Sequence, residues 1–175
     1  MQKRSYGTGR DKLASKLTKA LELHQKGELV GAENLYAEVL RIDSRNVDAL
    51  HFSGVLAHQK GDNDLAVERI SAALLENPGF LAALNNLALV YRAKGDSEGV
   101  ITTYKRLISL QPGAEGPVLN LGAFLVDLGL FSAAAEHLAE ARHRVPGSVG
   151  VIFGLAVALQ HGGDLAESVA LYREV

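Results

Sequence analysis

The chain has 175 residues, 47% of them hydrophobic and 22% charged, and its formal net charge is -2. This composition excludes an intrinsically disordered chain and favours neither a polyanionic nor a membrane-surface partner. The absence of cysteine excludes disulfides and cysteine-ligated metals. Because there is also no secretory signal and no run of about 18 apolar residues, we expect a cytoplasmic protein without a membrane span.

The first twelve residues, MQKRSYGTGRDK, are basic and precede any periodic pattern. We predict that residues 1–12 form a flexible basic tail. A nucleic-acid contact is the alternative for this positive cluster. Balancing acidic residues follow in the rest of the chain, which favours a solvated tail over a nucleic-acid site.

A repeat governs the rest of the chain. Five glycines recur at intervals of 34 residues without an insertion, at Gly27, Gly61, Gly95, Gly129 and Gly163. Alignment on these glycines gives five repeats: 13–46, 47–80, 81–114, 115–148 and 149–175. Positions within a repeat are numbered here from its first residue, so that the glycine stands at position fifteen.

Each repeat predicts two helices. A helix of about 14 residues precedes the glycine, which can adopt the left-handed conformation that ends a helix. An acidic residue often follows, as at Asp62 and Asp164, where it suits the start of a second helix. The second helix then stops near a proline in three repeats, at Pro78, Pro112 and Pro146. Small residues at positions eight and twenty are expected to let the two helices approach closely.

The fifth repeat ends at Val175, inside its predicted second helix, with no capping element after it. The terminal repeat of an array normally carries a cap that shields its last apolar face. We therefore expect the natural protein to continue, and we expect that the uncapped C-terminal end can form a homodimer.

The segments LNNLALVYRAKGD and ALHFSGVLAHQKGDNDLAVERISAALLENP resemble the tetratricopeptide repeat family. This resemblance covers about residues 13–175. It implies an all-α fold, a right-handed α-solenoid of five 34-residue helix-turn-helix repeats with the last one truncated. It also implies that the first helices line a concave groove that holds a client protein or an extended peptide, and that the chain is a non-catalytic interaction module.

Two adjacent asparagines, Asn85 and Asn86, occupy groove positions in the third repeat, although asparagine is a middling helix former. Asn120 repeats the position of Asn86 after 34 residues. A side-chain amide carries both donors and an acceptor, so it can bond the N–H and C=O groups of an extended main chain. We interpret the matched amides as a short ladder that binds peptide; helix-surface solvation is the alternative.

Six further residues complete the predicted peptide-binding set. His51, His58 and Arg92 are expected to supply side-chain contacts, and Phe52, Leu89 and Phe153 are expected to pack against apolar client groups. A histidine pair can bind a metal, but groove lining is the favoured interpretation. No metalloprotease, P-loop or nucleophile-elbow motif occurs, so we expect no catalytic residue, no metal and no cofactor in this chain.

The asparagine ladder and the wording of the second and third repeats also resemble the N-terminal arrays of bacterial O-linked glycosyltransferases related to O-linked N-acetylglucosamine transferases. That resemblance implies an array that delivers an acceptor protein, such as a flagellin, to a C-terminal glycosyltransferase domain. A stand-alone scaffold, adaptor or oligomerisation module without an attached enzyme is the alternative. The residue that follows Val175 in the intact protein would begin to separate the two.

Overall fold

A computed structural model of the chain describes residues 7–175. This part of the chain forms ten helices and no strand: α1 (Gly7–Gln25), α2 (Leu29–Ile42), α3 (Val47–Gln59), α4 (Asn63–Glu76), α5 (Leu81–Lys94), α6 (Ser97–Leu110), α7 (Glu115–Asp127), α8 (Phe131–Arg144), α9 (Val149–Gly162) and α10 (Leu165–Tyr172). The all-α fold of paired helices predicted from the repeat is therefore confirmed.

The helix boundaries follow the 34-residue interval. The first helices of the second to fifth repeats begin at Val47, Leu81, Glu115 and Val149, which are the first residues of those repeats. The first repeat differs because α1 begins at Gly7. Residues 7–12, which the repeat spacing assigns to the tail, are thus helical, and residues 1–6 of that predicted tail lie outside the described residues.

The five repeat glycines make the predicted turns. Their φ angles lie between +72° and +94°, in the left-handed region that side chains rarely adopt. At Gly95 the geometry is a Schellman motif: the Gly95 N–H donates to the Arg92 carbonyl at 3.0 Å and the Asp96 N–H donates to the Tyr91 carbonyl at 2.9 Å. The turn thereby satisfies carbonyls that the helix end would leave without partners.

Acidic side chains start second helices, as predicted. The Asp62 carboxylate accepts the Leu65 N–H at 3.0 Å, and Asp164 accepts the Glu167 N–H at 3.3 Å. Asn46 makes the same kind of cap at the start of α3 by accepting the Ala49 N–H at 3.0 Å. These bonds satisfy orphan donors in the first turn and fix where each helix begins.

The helices are grouped in two compact units. The N-terminal half ends at Asp96 and contains α1 to α5; the C-terminal half is Ser97–Val175 and contains α6 to α10. In the N-terminal half, α3 packs against both its partner α4 and its neighbours α1, α2 and α5. In the C-terminal half, α8 and α9 pack together, and α9 also packs against α7 and α10.

Small residues at position eight permit close helix pairing in both halves. A Cβ atom at Gly54 would lie 2.7 Å from Ile70 Cγ1 and 3.2 Å from the Ala66 carbonyl oxygen. A Cβ atom at Gly122 would lie 2.9 Å from Leu138 Cδ2. The predicted close approach is confirmed, and Ile70 and Leu138 are fully buried as a result.

Ion pairs join successive repeats of the N-terminal half on the surface. Lys60 Nζ lies 2.7 Å from Glu33, Arg45 Nε lies 2.7 Å from Glu76, and Lys94 pairs with Asp64. Water screens such exposed pairs, so they add little to stability, and apolar packing must hold the repeats together. Their main effect is to neutralise charge on the outer surface.

Candidate functional site

The two asparagines of α5 differ in their surroundings. Asn86 is half-buried, and its Nδ2–H donates to Nε2 of His51 at 2.8 Å. Asn85 is exposed, and its Nδ2–H donates to the Leu81 carbonyl at 3.0 Å within the same helix. Each amide therefore has one N–H engaged by the protein, and in each the oxygen Oδ1 accepts no hydrogen bond from a described residue.

His51 does not have the predicted role of a groove contact. Only 2% of this residue is exposed, and its ring centroid lies 4.7 Å from the centroids of both Phe52 and Phe80. Burial lowers the pKa of His51, and the nearby Asp48 carboxylate opposes that shift only in part. The structure corrects the prediction: His51 is a neutral buried side chain that contacts Asn86 and two phenyl rings.

His58 and Phe52 are half-buried and already have partners in the protein. His58 Nδ1–H donates to Asn63 Oδ1 at 2.6 Å, which ties the end of α3 to the first residue of α4. The Phe52 ring stacks on Tyr36, with centroids 6.5 Å apart and ring planes 15° from parallel. Both side chains stabilise the helix pairs as well as facing the predicted groove.

The remaining predicted residues of the N-terminal half, Leu89 and Arg92, lie on the exposed face of α5. Leu89 is 50% exposed, which is unusual for a leucine on a first helix that is otherwise packed. This face therefore combines one apolar side chain, one cation and the amides of Asn85 and Asn86. Such a surface can contact a peptide through both its main chain and an apolar side chain.

A polar cluster lies at the end of α1. The Tyr36 hydroxyl donates to His24 Nδ1 at 3.1 Å, and His24 Nε2–H donates to Gln59 Oε1 at 3.0 Å. Burial raises the pKa of Tyr36 to about 12, so the phenol keeps its proton. Both nitrogens of His24 are thereby occupied within the protein. The described residues contain no group of three or more His, Asp or Glu side chains that could hold a metal ion.

The C-terminal half contains an apolar groove of about 300 Å³ between α7 and α9, with Leu138 of α8 at its base. It is lined by Leu119, Gly122, Ala123, Val126, Asp127, Leu138, Gly150, Phe153, Gly154 and Val157. Gly150 and Gly154 are one turn apart on α9, and their missing side chains leave the space. A Cβ atom at Gly154 would lie 3.4 Å from Leu138 Cδ1, so the groove reaches down to the core.

Two of the predicted residues lie on or beside this groove. Phe153 forms part of its wall, is 52% exposed, and meets Tyr172 edge to face with ring centroids 5.7 Å apart. Asn120 is exposed one turn before Ala123 on α7, and its amide makes no hydrogen bond to another described residue. The groove itself was not predicted; the glycine pair at an interval of four residues was its only signal in the sequence.

The match to known families agrees with this geometry. The family model for the tetratricopeptide repeat matches residues 53–115 and 119–175, more than half of the chain. The chain belongs to the tetratricopeptide repeat family. As an array of this repeat it is a protein-interaction module, and the repeat itself is non-catalytic.

Curated relatives contain the array as one part of a larger protein. The chain is 24% identical over 156 residues to the BBSome complex member BBS4 of Bos taurus and 30% identical over 115 residues to the peroxisomal targeting signal receptor of Candida glabrata. These matches cover 89% and 65% of this chain but only 30% and 20% of the relatives. A third relative is the probable UDP-N-acetylglucosamine–peptide N-acetylglucosaminyltransferase SPINDLY of Solanum lycopersicum, 29% identical over 55% of this chain and 10% of that protein.

Solved structures show the same fold. The crystal structure of MamA has a TM-score of 0.76 at 20% identity and covers 92% of this chain and 88% of that one. YrrB, described as a tetratricopeptide repeat protein with an unusual peptide-binding site, has a TM-score of 0.70 at 17% identity, covering 89% and 80%. An O-GlcNAc transferase mutant from Thermobaculum terrenum has a TM-score of 0.65 at 25% identity, covering 82% of this chain and 27% of the enzyme.

Among the described residues, no helix is both long enough and apolar enough to span a bilayer.

Proposed function

We propose that the chain binds an extended segment of a client protein along the surface formed by the first helices of its repeats. The observation that carries this proposal is the apolar groove between α7 and α9, with Asn120 one turn from its wall. An apolar groove open to solvent on a folded module commonly marks a binding site.

The groove and the amide suit complementary parts of a peptide. Burying an apolar client side chain against Phe153 and Leu138 would contribute about 1.5–3 kcal/mol. The Asn120 amide can meanwhile donate to one main-chain carbonyl and accept from one main-chain N–H. Because these main-chain bonds do not depend on the client's sequence, selectivity would come from the apolar side chain that enters the groove.

The comparisons support a peptide-binding role. YrrB is described by its peptide-binding site, and one relative is a receptor for a peroxisomal targeting signal. We extend the proposal to the parent protein because SPINDLY and the Thermobaculum terrenum structure are N-acetylglucosaminyl transferases. In that case this chain is the acceptor-recognition part of a larger glycosyltransferase-type protein, and its client is a protein acceptor such as a flagellin.

Fluorescence anisotropy with an unfolded protein tests the proposal. The probe is labelled, reduced and carboxymethylated lactalbumin, which exposes its main chain and apolar side chains. Gly154→Phe fills the groove with the residue that the second repeat carries at the same position, Phe52, and Asn120→Ala removes the amide. Gly154→Ala adds one carbon at an ordinary contact distance from Leu138, and Asn34→Ala removes an exposed amide from the second helix α2. These two are the matched controls.

We expect the groove-filling variant to weaken binding at least tenfold, which corresponds to about 1.4 kcal/mol, and the amide variant to weaken it about fivefold. The two controls should bind as the wild type does. Equal binding by all five proteins would contradict the proposal.

Self-association is the second candidate function, and a specific observation favours it. Of the twelve large apolar side chains exposed in the described residues, five lie within 149–175: Val149, Phe153, Leu165, Val169 and Val175. Leu165 and Val169 are four residues apart on α10 and therefore form one stripe.

Sedimentation velocity over a range of concentrations tests this second candidate. A dimer that dissociates in Val169→Lys but persists in the exposed control Val30→Lys, on α2, would support it. A monomer at every concentration would contradict it.

A further inference from the structure

The side chain of His51 is an ionisable group enclosed by apolar ones. The rings of Phe52 and Phe80 flank it, and only 2% of the residue is exposed. A neutral imidazole has one N–H donor and one acceptor nitrogen, and burial favours that neutral form. The hydrogen bonds of the ring therefore decide which nitrogen carries the proton.

Those hydrogen bonds are uneven. Nε2 accepts the Nδ2–H of Asn86 at 2.8 Å, so the proton must be on Nδ1. Nδ1 is buried and has no hydrogen-bond partner. A buried donor without a partner lowers stability, and such a group in a native structure calls for an explanation.

Packing does not require a histidine at this place. The same repeat position, position five, holds Leu17 in the first repeat and Leu119 in the fourth. A leucine at position 51 would fill the space between the rings without leaving a polar atom unsatisfied. What distinguishes the histidine is its acceptor nitrogen, which binds Asn86.

We propose that His51 is a positioning residue: it holds one N–H of the Asn86 amide and so turns the amide oxygen toward the client as an acceptor for main-chain N–H groups. This inference rests on the proposed function and specifies the chemistry of one contact. The neighbouring Asn85 also donates an N–H to its own helix, at the Leu81 carbonyl, which leaves a second oxygen on the same surface. The N-terminal half would thus recognise N–H donors on an extended segment.

Nuclear magnetic resonance of the free full chain tests the positioning directly. With ¹⁵N-labelled histidine at pH 7.5, a long-range ¹H–¹⁵N spectrum shows which nitrogen of each of the six histidines carries the proton. We expect the Nδ1–H tautomer for His51, and we expect Asn86→Ala to shift the Nε2 resonance of His51. An Nε2–H tautomer would overturn the inference, because Asn86 would then present N–H groups to the client instead.

A double-mutant cycle tests the functional consequence with the same unfolded lactalbumin probe. Asn86→Ala and His51→Leu should each weaken binding about fivefold, as expected for one lost hydrogen bond. The double variant should bind no more weakly than either single variant, because both remove the same oriented oxygen. His51→Leu should fold normally, as leucine already occupies this position in two repeats, and circular dichroism with a thermal melt checks that.

The outcomes separate the two proposals. If the wild type binds and the losses are additive, at about 25-fold in the double variant, the positioning role of His51 is overturned and the proposed function stands. If the wild type does not bind the probe, the proposed function fails and this inference fails with it.

Discussion

Asn86 in the N-terminal half and Asn120 in the C-terminal half occupy the same repeat position but present different chemistry. Asn86 is half-buried and bonded to a buried histidine, whereas Asn120 is exposed one turn from the wall of an apolar groove. The repeat fixes where a side chain is placed on a first helix. The neighbouring residues, which the repeat leaves free to vary, decide whether that side chain is an oriented acceptor or an unrestricted amide.

The largest difference in stability between the halves should appear at their position-eight glycines. In Gly54→Ala the new carbon meets Ile70 and the backbone oxygen of Ala66, which cannot move aside. Such overpacking costs 1–3 kcal/mol, so we expect a loss of about 2 kcal/mol. In Gly122→Ala it meets only the flexible end of Leu138, and the better helix propensity of alanine offsets the strain. Urea unfolding of the two variants measures this difference, and equal losses would contradict it.

The exposed apolar side chains of the halves should differ in client binding. Phe153 forms a wall of the groove, whereas Leu89 stands on the open face of α5. We expect Phe153→Ser to weaken binding of the unfolded probe about tenfold and Leu89→Ser about threefold, because a side chain in a groove loses more contact with water on binding. Anisotropy titrations measure both, with exposed Leu75→Ser on α4 as the control. A larger loss at Leu89 would reverse the assignment of the main contact.

The turn glycines should be equivalent in the two halves. Gly61 and Gly129 have φ angles of +84° and +73°, and no atom lies within 4 Å of a Cβ built at either. Only the left-handed conformation is then at stake, so each change to alanine should cost about 1 kcal/mol. Gly113 has equally open surroundings without a positive φ, and Gly113→Ala should leave the melting temperature unchanged. A marked difference between Gly61→Ala and Gly129→Ala would show that the turns are not interchangeable.

Both halves should lose some stability in mild acid, each through one histidine. Burial lowers the pKa of His51 and of His137, and the hydrogen bond from His137 to the Val118 carbonyl opposes the shift only in part. The unfolded chain binds protons as the pH falls through about 6.5, while the folded chain resists them. The stability these histidines contribute is therefore fully present above that pH and is lost progressively below it.

Thermal melts at pH 7.5 and 5.5 test this pH dependence. His51→Leu and His137→Leu should each reduce the difference in melting temperature between the two pH values, and the exposed control His143→Leu should not. An unchanged difference in both variants would mean that other groups cause the acid sensitivity.

The sequence predicts the helix pairs well because their causes are local. The turn glycines need the left-handed region, Asp62 and Asp164 cap helices, and Gly54 permits close packing. The site is less predictable because it depends on contacts between repeats. Periodicity places His51 on the groove side of α3, but it gives no sign that Phe80, from the loop before α5, covers that ring.

The groove of the C-terminal half escapes prediction for a related reason. Gly150 and Gly154 resemble ordinary small helix residues until their surroundings are known. Whether a missing side chain leaves an open groove or a filled core depends on the length of the side chains on the adjacent helices, here Leu119, Leu138 and Phe153. That information is distributed over three helices rather than held in one motif.

Chemical-shift mapping would test the central claim most directly. The ¹⁵N-labelled full chain is titrated with unlabelled reduced, carboxymethylated lactalbumin, and the perturbed backbone and side-chain amides are assigned. We predict shifts on the first helices, centred on Ala123, Phe153 and Val157 and including the side-chain amides of Asn86 and Asn120. Shifts confined to the second helices α2, α4 and α8, with those amides unmoved, would contradict a peptide-binding surface on the first helices.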